Sequence, residues 1–274
     1  MCSKCVFVNI FNSLVLYITG VNQLEVRNMY MPKISIITPS YNQGKYIERT
    51  ILSVKNQNYP NYEHIIIDGG STDETFDVIR KYPEIKLIVK KSNQSEALNI
   101  GFKAADGNIV GWINSDDIYL PGAFGNAVKF LNSNDTISMV YSDCQFIDET
   151  DAVVGKWVTD SFDYFRNLNY AQMIPQPTIF FRRSVFDRVG YIEETLNYAM
   201  DLDFFIRVSK SCKIVRVPQV QFAAFRVHSN SKTVSQRKKF EPEIIKIRKN
   251  HGAIIPYYLV RLVQDTVGLV KKRL

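Results

Sequence analysis

The chain has 274 residues and a mass of 31.6 kDa, and it is 46% hydrophobic and 22% charged. That balance excludes a disordered or low-complexity protein and leaves room for one large α/β domain or two small ones. The net charge of +7 is uneven: Lys and Arg gather after Arg226, in Lys232, Arg237, Lys238, Lys239, Lys246, Arg248, Lys249, Lys271, Lys272 and Arg273, a pattern suited to an anionic surface or to a solvated helix face. Cys2, Cys5, Cys144 and Cys212 form neither a disulfide framework nor two pairs at zinc spacing, which fits reduced thiols in a cytoplasm.

Residues 1–30 differ in pattern from the rest of the chain. Their apolar stretch is broken by Asn9, Asn12 and Ser13 and is too short for a membrane span. Met31, Pro32 and Lys33 read as a natural start, so the extension is expected to be an upstream mis-start or a loose appendage. Strand and helix then alternate. Residues 34–38 predict a strand closed by Pro39, and Tyr46, Ile47, Thr50, Ile51 and Val54 recur at helical spacing. A second strand at 63–68 breaks at Gly69 and Gly70. Ser71 with Glu74 has the form of a capping box for the helix through Phe76, Val78 and Ile79. A third strand at 85–89 and a helix at 95–105 lead to the apolar run Ile109-Val110-Gly111-Trp112-Ile113, a fourth strand that ends in Asn114-Ser115-Asp116-Asp117.

Later elements are less regular: a helix completed at 128–131, a strand at 137–141, an irregular aromatic stretch at 157–169 and a strand at 178–181. A short helix from Ser184, a helix from Asp201 and strands at 214–217 and 222–227 come next. In 254–274, Ile255, Tyr258, Leu259, Leu262, Val263, Val267 and Val270 share one helix face ahead of a basic cluster, suited to a membrane surface or to packing against protein.

Strands alternating with helices imply a parallel sheet with right-handed crossovers, whose ligands bind beyond the carboxyl ends of the strands. The unusual polar residues fall on that edge: Pro39 to Asn42, Asp68 to Ser71, and Asn114 to Asp117. Adjacent Asp116 and Asp117 repel each other. A hard divalent cation would hold both ionised; a turn or a helix cap ahead of Pro121 is the structural alternative.

Four segments in order, Ile36-Ile37-Thr38-Pro39-Ser40-Tyr41-Asn42, Ile66-Ile67-Asp68-Gly69-Gly70-Ser71-Thr72-Asp73, Asn114-Ser115-Asp116-Asp117 and Met200-Asp201-Leu202-Asp203, resemble the family 2 glycosyltransferases, inverting enzymes of the GT-A fold. The resemblance covers roughly residues 33–233. It implies an α/β domain at 31–233 with a mainly parallel central sheet flanked by helices, a nucleotide-binding half followed by an acceptor half, and basic amphipathic helices at 234–274. It also implies roles. Thr38, Pro39 and Tyr41 would line the base and ribose pocket, and Asp68 would accept hydrogen bonds from the nucleoside. Gln94, Ser95, Asn99, Asn114 and Ser115 would lie along the donor's diphosphate and sugar. Asp116 would ligate Mn2+ or Mg2+, with His228 completing the metal shell. Asp201 would be the catalytic base, although locally it also suits a helix N-cap, and Asp117, Gln176 and Asp203 would support the site or meet the acceptor. Three positions depart from the family pattern: Gly69 replaces an acid expected to read a uracil ring, Asn114 the first acid of Asp-x-Asp, and Met200 an acid before the base.

The implied activity moves a sugar from a nucleotide-diphosphate donor, UDP-linked, to a hydroxyl of a saccharide or lipid-linked acceptor in cell-surface polysaccharide synthesis. It would take place in the cytoplasm at the inner face of the membrane, with peripheral membrane contact through the C-terminal tail and no nucleic-acid partner. Two rivals stand beside it. A sugar nucleotidyltransferase would carry a Gly-rich phosphate loop with a basic residue after the first strand, which Ser40-Tyr41-Asn42-Gln43-Gly44 is not. A degenerate domain that binds nucleotide sugar without turnover is kept open by Gly69, Asn114 and Met200.

Overall fold

Every residue of β1 (Ile34–Ser40) is buried, the polar Ser35, Thr38 and Ser40 included, as in a parallel sheet whose two faces are both covered. The computed structural model describes residues 31–170 and 174–260. In it β1 lies between β2 (Tyr62–Asp68) and β4 (Ile109–Trp112), with β3 (Lys86–Val89) outside β2, all parallel. The crossovers are α1 (Gly44–Lys55), α2 (Thr75–Ile79) and α3 (Gln94–Ala104). α1 buries Tyr46, Ile47, Thr50, Ile51 and Val54, the face its spacing predicts. α3 approaches the sheet at Gly101, where a Cβ would stand 2.4 Å from Ile37 Cγ2 and 2.5 Å from Ile67 Cδ1.

Beyond β4 the sheet is mixed, in the order β3-β2-β1-β4-β8-β6-β9-β5 with β7 on β6. β8 (Phe180–Arg182) runs antiparallel to β4 and to β6 (Ile137–Ile147), and β5 (Ile118–Tyr119) antiparallel to β9 (Lys213–Arg226), while β6 and β9 are parallel. A mainly parallel sheet therefore describes the first half only. The pleat sends successive residues to opposite faces. Phe181 joins Phe102, Trp112, Phe186 and Phe204 in one core, and Phe180 joins Tyr119, Phe124 and Phe222 in the other.

Three local expectations are corrected. Ser71 opens no capping box, because its hydroxyl donates to Asp68 Oδ2 at 2.7 Å and α2 begins only at Thr75. The two late strands are one, β9, which passes through Gln219 at a φ of 60°. The stretch at 157–169 holds the end of β7 (Val153–Trp157) and α5 (Tyr164–Asn169), with Asp163 capping the helix through the Arg166 N–H. Also helical are α4 (Ala123–Ser133), α6 (Val185–Val189), α7 (Met200–Ser211), α8 (Lys232–Ser235) and α9 (Arg237–Asn250). The extension at 1–30 and most of the amphipathic face expected at 254–274 lie outside the described residues. No helix among the described residues is long and apolar enough to cross a membrane.

β2 also buries His64, whose Nε2 lies 2.9 Å from Thr38 Oγ1. Burial pushes this imidazole down to about 3. In the unfolded chain the same ring takes up a proton near pH 6.5, so stability is lost as pH falls from about 6.5 toward 3, at about 1.4 kcal/mol per unit. Urea unfolding at pH 7.5 and 4.5 should register that fall, and His64→Gln should flatten it; an unchanged pH slope in the variant would mean that the ring is not buried neutral.

Candidate active site

A cavity of about 460 Å³ opens beyond the carboxyl ends of the parallel strands, where this sheet class binds ligands. Of the residues singled out in the sequence it gathers Pro39, Tyr41, Gln94, Asn114, Ser115, Asp116, Gln176 and Asp201. Residues 230–233 with Gln236 and Phe240 form a further wall.

Asp116 Oδ2 lies 3.0 Å from His228 Nε2, although 112 residues separate them in the chain. The sheet brings them together: Ile118 of β5 faces Ala224 of β9, and Asp116 precedes the one strand as His228 follows the other. Arg226, wholly buried, locks the junction. Its Nε donates to the Asp116 carbonyl at 2.7 Å, its Nη1 to the Asp148 carbonyl at 2.7 Å, and its backbone N–H to Asp117 Oδ1 at 2.8 Å. The guanidinium also lies 5.2 Å from the centroid of the Tyr46 ring, which in turn packs at 4.7 Å from the His228 ring.

One carboxylate oxygen and one imidazole nitrogen thus converge, a donor pair that suits a divalent ion. No group of three or more His, Cys, Asp or Glu among the described residues stands ready to hold a metal. The pair would supply two of the ligands such an ion needs, and the others would have to come from a bound molecule or from water. Asp117 is not part of that pair. It is buried, and desolvation first, then the Asp116 charge, raise its carboxyl well above the ordinary range against the opposing pull of Arg226.

Asn114 is a junction rather than an open metal ligand. Its Oδ1 accepts from Gln94 Nε2 at 3.0 Å and from Trp112 Nε1 at 3.2 Å, and its Nδ2 donates to Gln176 Oε1 at 2.9 Å. Gln176 extends the link by donating from Nε2 to the Trp112 carbonyl at 2.8 Å.

Thr38, Asp68, Ser95, Asn99 and Asp203 do not line the cavity. Thr38 is turned to His64. The Asp68 carboxylate accepts the N–H groups of Gly70 at 2.9 Å and Ser71 at 2.7 Å, besides the Ser71 hydroxyl, so it shapes the turn instead of facing a nucleoside. Ser95 donates to the Leu196 carbonyl, and Asn99 bonds Ile192 through both ends of its amide, so the two pin the loop ahead of α7 rather than a donor. Asp203 accepts from Arg207 Nε at 2.8 Å and pairs with His251 Nε2 at 2.9 Å, bracing α7 against the end of α9.

Asp201 lines the cavity from the first turn of α7. The N-cap position belongs to Ala199, and Asp201 Oδ1 accepts the Leu202 N–H at 2.8 Å, so the cap role that its sequence context suggests is not the one it has. Lys232 is a lining residue that the sequence reading did not single out as a site residue. It is the sole Lys or Arg among the lining residues, alongside the carboxylates of Asp116 and Asp201, and its Nζ donates to Gln94 Oε1 at 2.8 Å. Its position four residues beyond His228, after a strand end, is the signal that could have found it.

A parallel first half joined to a mixed second half, with the polar residues collected on one edge, is the GT-A arrangement of nucleotide-sugar transferases. The chain belongs to glycosyl transferase family 2, whose profile matches residues 35–190. A glycosyltransferase of Rickettsia prowazekii is 29% identical over 195 residues, covering 67% of this chain and 61% of its own length; the chain thus spans less than two thirds of that relative. The Escherichia coli enzyme WfaP, a UDP-Glc:alpha-D-GlcNAc-diphosphoundecaprenol beta-1,3-glucosyltransferase, is 26% identical over 239 residues, 83% of this chain and 92% of WfaP. Among solved structures, S. aureus TarS in complex with UDP-GlcNAc aligns with a TM-score of 0.66 at 20% identity, covering 83% of this chain and 69% of that chain. That likeness shows the fold alone.

Proposed function

We propose that the protein is an inverting, metal-assisted transferase that moves a sugar from a UDP-linked donor to an acceptor hydroxyl. The observation that carries this reading is a single cavity shared by Asp201, Asp116 and Lys232, with His228 paired to Asp116. Asp201 takes the acceptor hydroxyl's proton as that oxygen attacks the anomeric carbon, opposite the departing nucleoside diphosphate. Lys232 faces the diphosphate with its ammonium group, whose pKa burial lowers from the ordinary lysine range. Asp116 and His228 would hold Mn2+ or Mg2+, which supplies charge neutralisation on the leaving group. Tyr41, 58% exposed, offers its ring to the base.

WfaP, named for a UDP-sugar donor and a diphosphoundecaprenol-linked acceptor, supports a lipid-linked saccharide acceptor, and with it we place the reaction in cell-surface polysaccharide assembly. The exposed Arg237, Lys238, Lys239, Lys246 and Lys249 of α9 suit contact with anionic lipid.

A panel of nucleotide sugars tests the reading. One UDP-sugar should be slowly hydrolysed in the absence of acceptor, with Mn2+ or Mg2+ raising the rate and Asp116→Asn removing that stimulation. Failure to bind or hydrolyse any donor would sink the transferase assignment.

A further inference from the structure

Helix α7 carries the proposed base but lacks a cap of its own. Its N-cap residue, Ala199, makes no side-chain hydrogen bond, and the N–H groups at a helix start have no partners within the helix. Glu243 of α9 takes up the N-cap N–H and the two N–H groups just ahead of it. Its Oε1 accepts the N–H of Asn197 at 2.8 Å, and its Oε2 accepts those of Tyr198 at 2.8 Å and Ala199 at 2.9 Å. Glu243 lies beyond residues 35–190, the stretch matched by the family profile. The same C-terminal segment grips Tyr198 in two further ways: the Tyr198 hydroxyl donates to Gln236 Oε1 at 3.0 Å, and its ring lies 5.3 Å from that of Phe240.

Only a carboxylate fits this triple acceptance. A glutamine has one acceptor oxygen, and its amide N–H groups would face the backbone donors. We propose that Glu243 is a positioning residue for the reaction: by fixing residues 197–199 it sets the first turn of α7, so that Asp201 meets the acceptor hydroxyl in the reacting geometry. This role rests on the assignment of Asp201 as base. Glu243 does not line the cavity; the residues it fixes also touch the donor side, since the Asn197 carbonyl accepts from Lys232 Nζ at 3.3 Å, so its loss falls chiefly on turnover with a smaller effect on donor binding.

The test compares Glu243→Gln with Glu241→Gln, an exposed residue of the same helix whose substitution removes the same charge. Glu243→Gln should lower kcat roughly 10- to 100-fold, the scale of a misplaced catalytic group, with donor KM rising by a clearly smaller factor and faster hydrogen exchange at the amides of residues 197–199. Glu241→Gln should behave as wild type, and Glu243→Asp should recover part of kcat. Thermal melting verifies that each variant is folded; should Glu243→Gln fail to fold, Glu243→Asp carries the test through an intermediate kcat that falls by more than donor KM rises. Wild-type kcat in Glu243→Gln, an equal fall in Glu241→Gln, or a loss confined to donor KM would overturn the positioning role alone. A wild-type protein that turns over no donor would overturn the transferase reading and this role with it.

Discussion

Asp201→Asn is expected to lower kcat for sugar transfer by about 10²- to 10⁴-fold while leaving the donor's dissociation constant within about threefold of wild type, because a proton acceptor acts in the transition state and not in donor binding. The substitution is nearly isosteric. An amide oxygen can still accept the Leu202 N–H that Asp201 Oδ1 now accepts at 2.8 Å, so the first turn of α7 keeps its local bonding. What disappears is a group able to take the acceptor's proton. The proposed donor contacts stand on other elements: Tyr41 after β1, Asp116 after β4, His228 after β9 and Lys232 on α8. Calorimetric titration with UDP, set beside single-turnover transfer, separates the two effects. Loss of UDP binding together with transfer would make Asp201 a donor contact instead of the base.

Asn114→Asp, which restores the first acid of the Asp-x-Asp pattern, is expected to destabilise the protein by about 2–3 kcal/mol at neutral pH. An acid at 114 keeps acceptors for Gln94 Nε2 and Trp112 Nε1, but the donation to Gln176 Oε1 becomes an opposition of two acceptors. It would also set an anion beside Asp117 Oδ2, 3.5 Å from the present amide nitrogen, on a carboxyl that already resists ionisation through burial and the Asp116 charge. The penalty follows ionisation, so it should shrink at pH 4.5 relative to pH 7.5. Paired urea titrations at those two pH values measure it. Equal stability of the two proteins at pH 7.5 would show that the amide junction does not dictate asparagine. On this view the departure from the family's acid is a requirement of the surrounding acceptors rather than a sign of decay.

The parts of the molecule legible in the sequence are those set by local periodicity. The uniform burial of β1 and the apolar face of α1 follow from spacing alone, and the placement of the polar turns follows from the rule for strand carboxyl ends. Side-chain direction was not legible, because distant partners decide it. Asp68 has the right position for a nucleoside contact, yet Ser71 takes its carboxylate from three residues away. Ser95 and Asn99 are claimed by a loop 93 to 101 residues further along. β9 reads as two strands because Pro218 interrupts the apolar pattern. The strand survives because Pro218 and Gln219 lie exposed, and pairing with β6 shifts register between Arg216 and Gln221. Lys232 and Glu243 are silent for another reason: a charged residue on a solvated helix and one turned into a site look the same in sequence.

β9 pairs with β6 along one side and β5 on the other, and Asp116 and His228 meet at its far end. The parallel and mixed halves are therefore one continuous plate, with no hinge between them among the described residues. The 230–240 wall is fastened to the cavity's other sides differently, by side-chain contacts such as Lys232 to Gln94 and Gln236 to Tyr198. A substitution in that wall would therefore alter side-chain contacts around the cavity while leaving the strand pairing of the plate untouched.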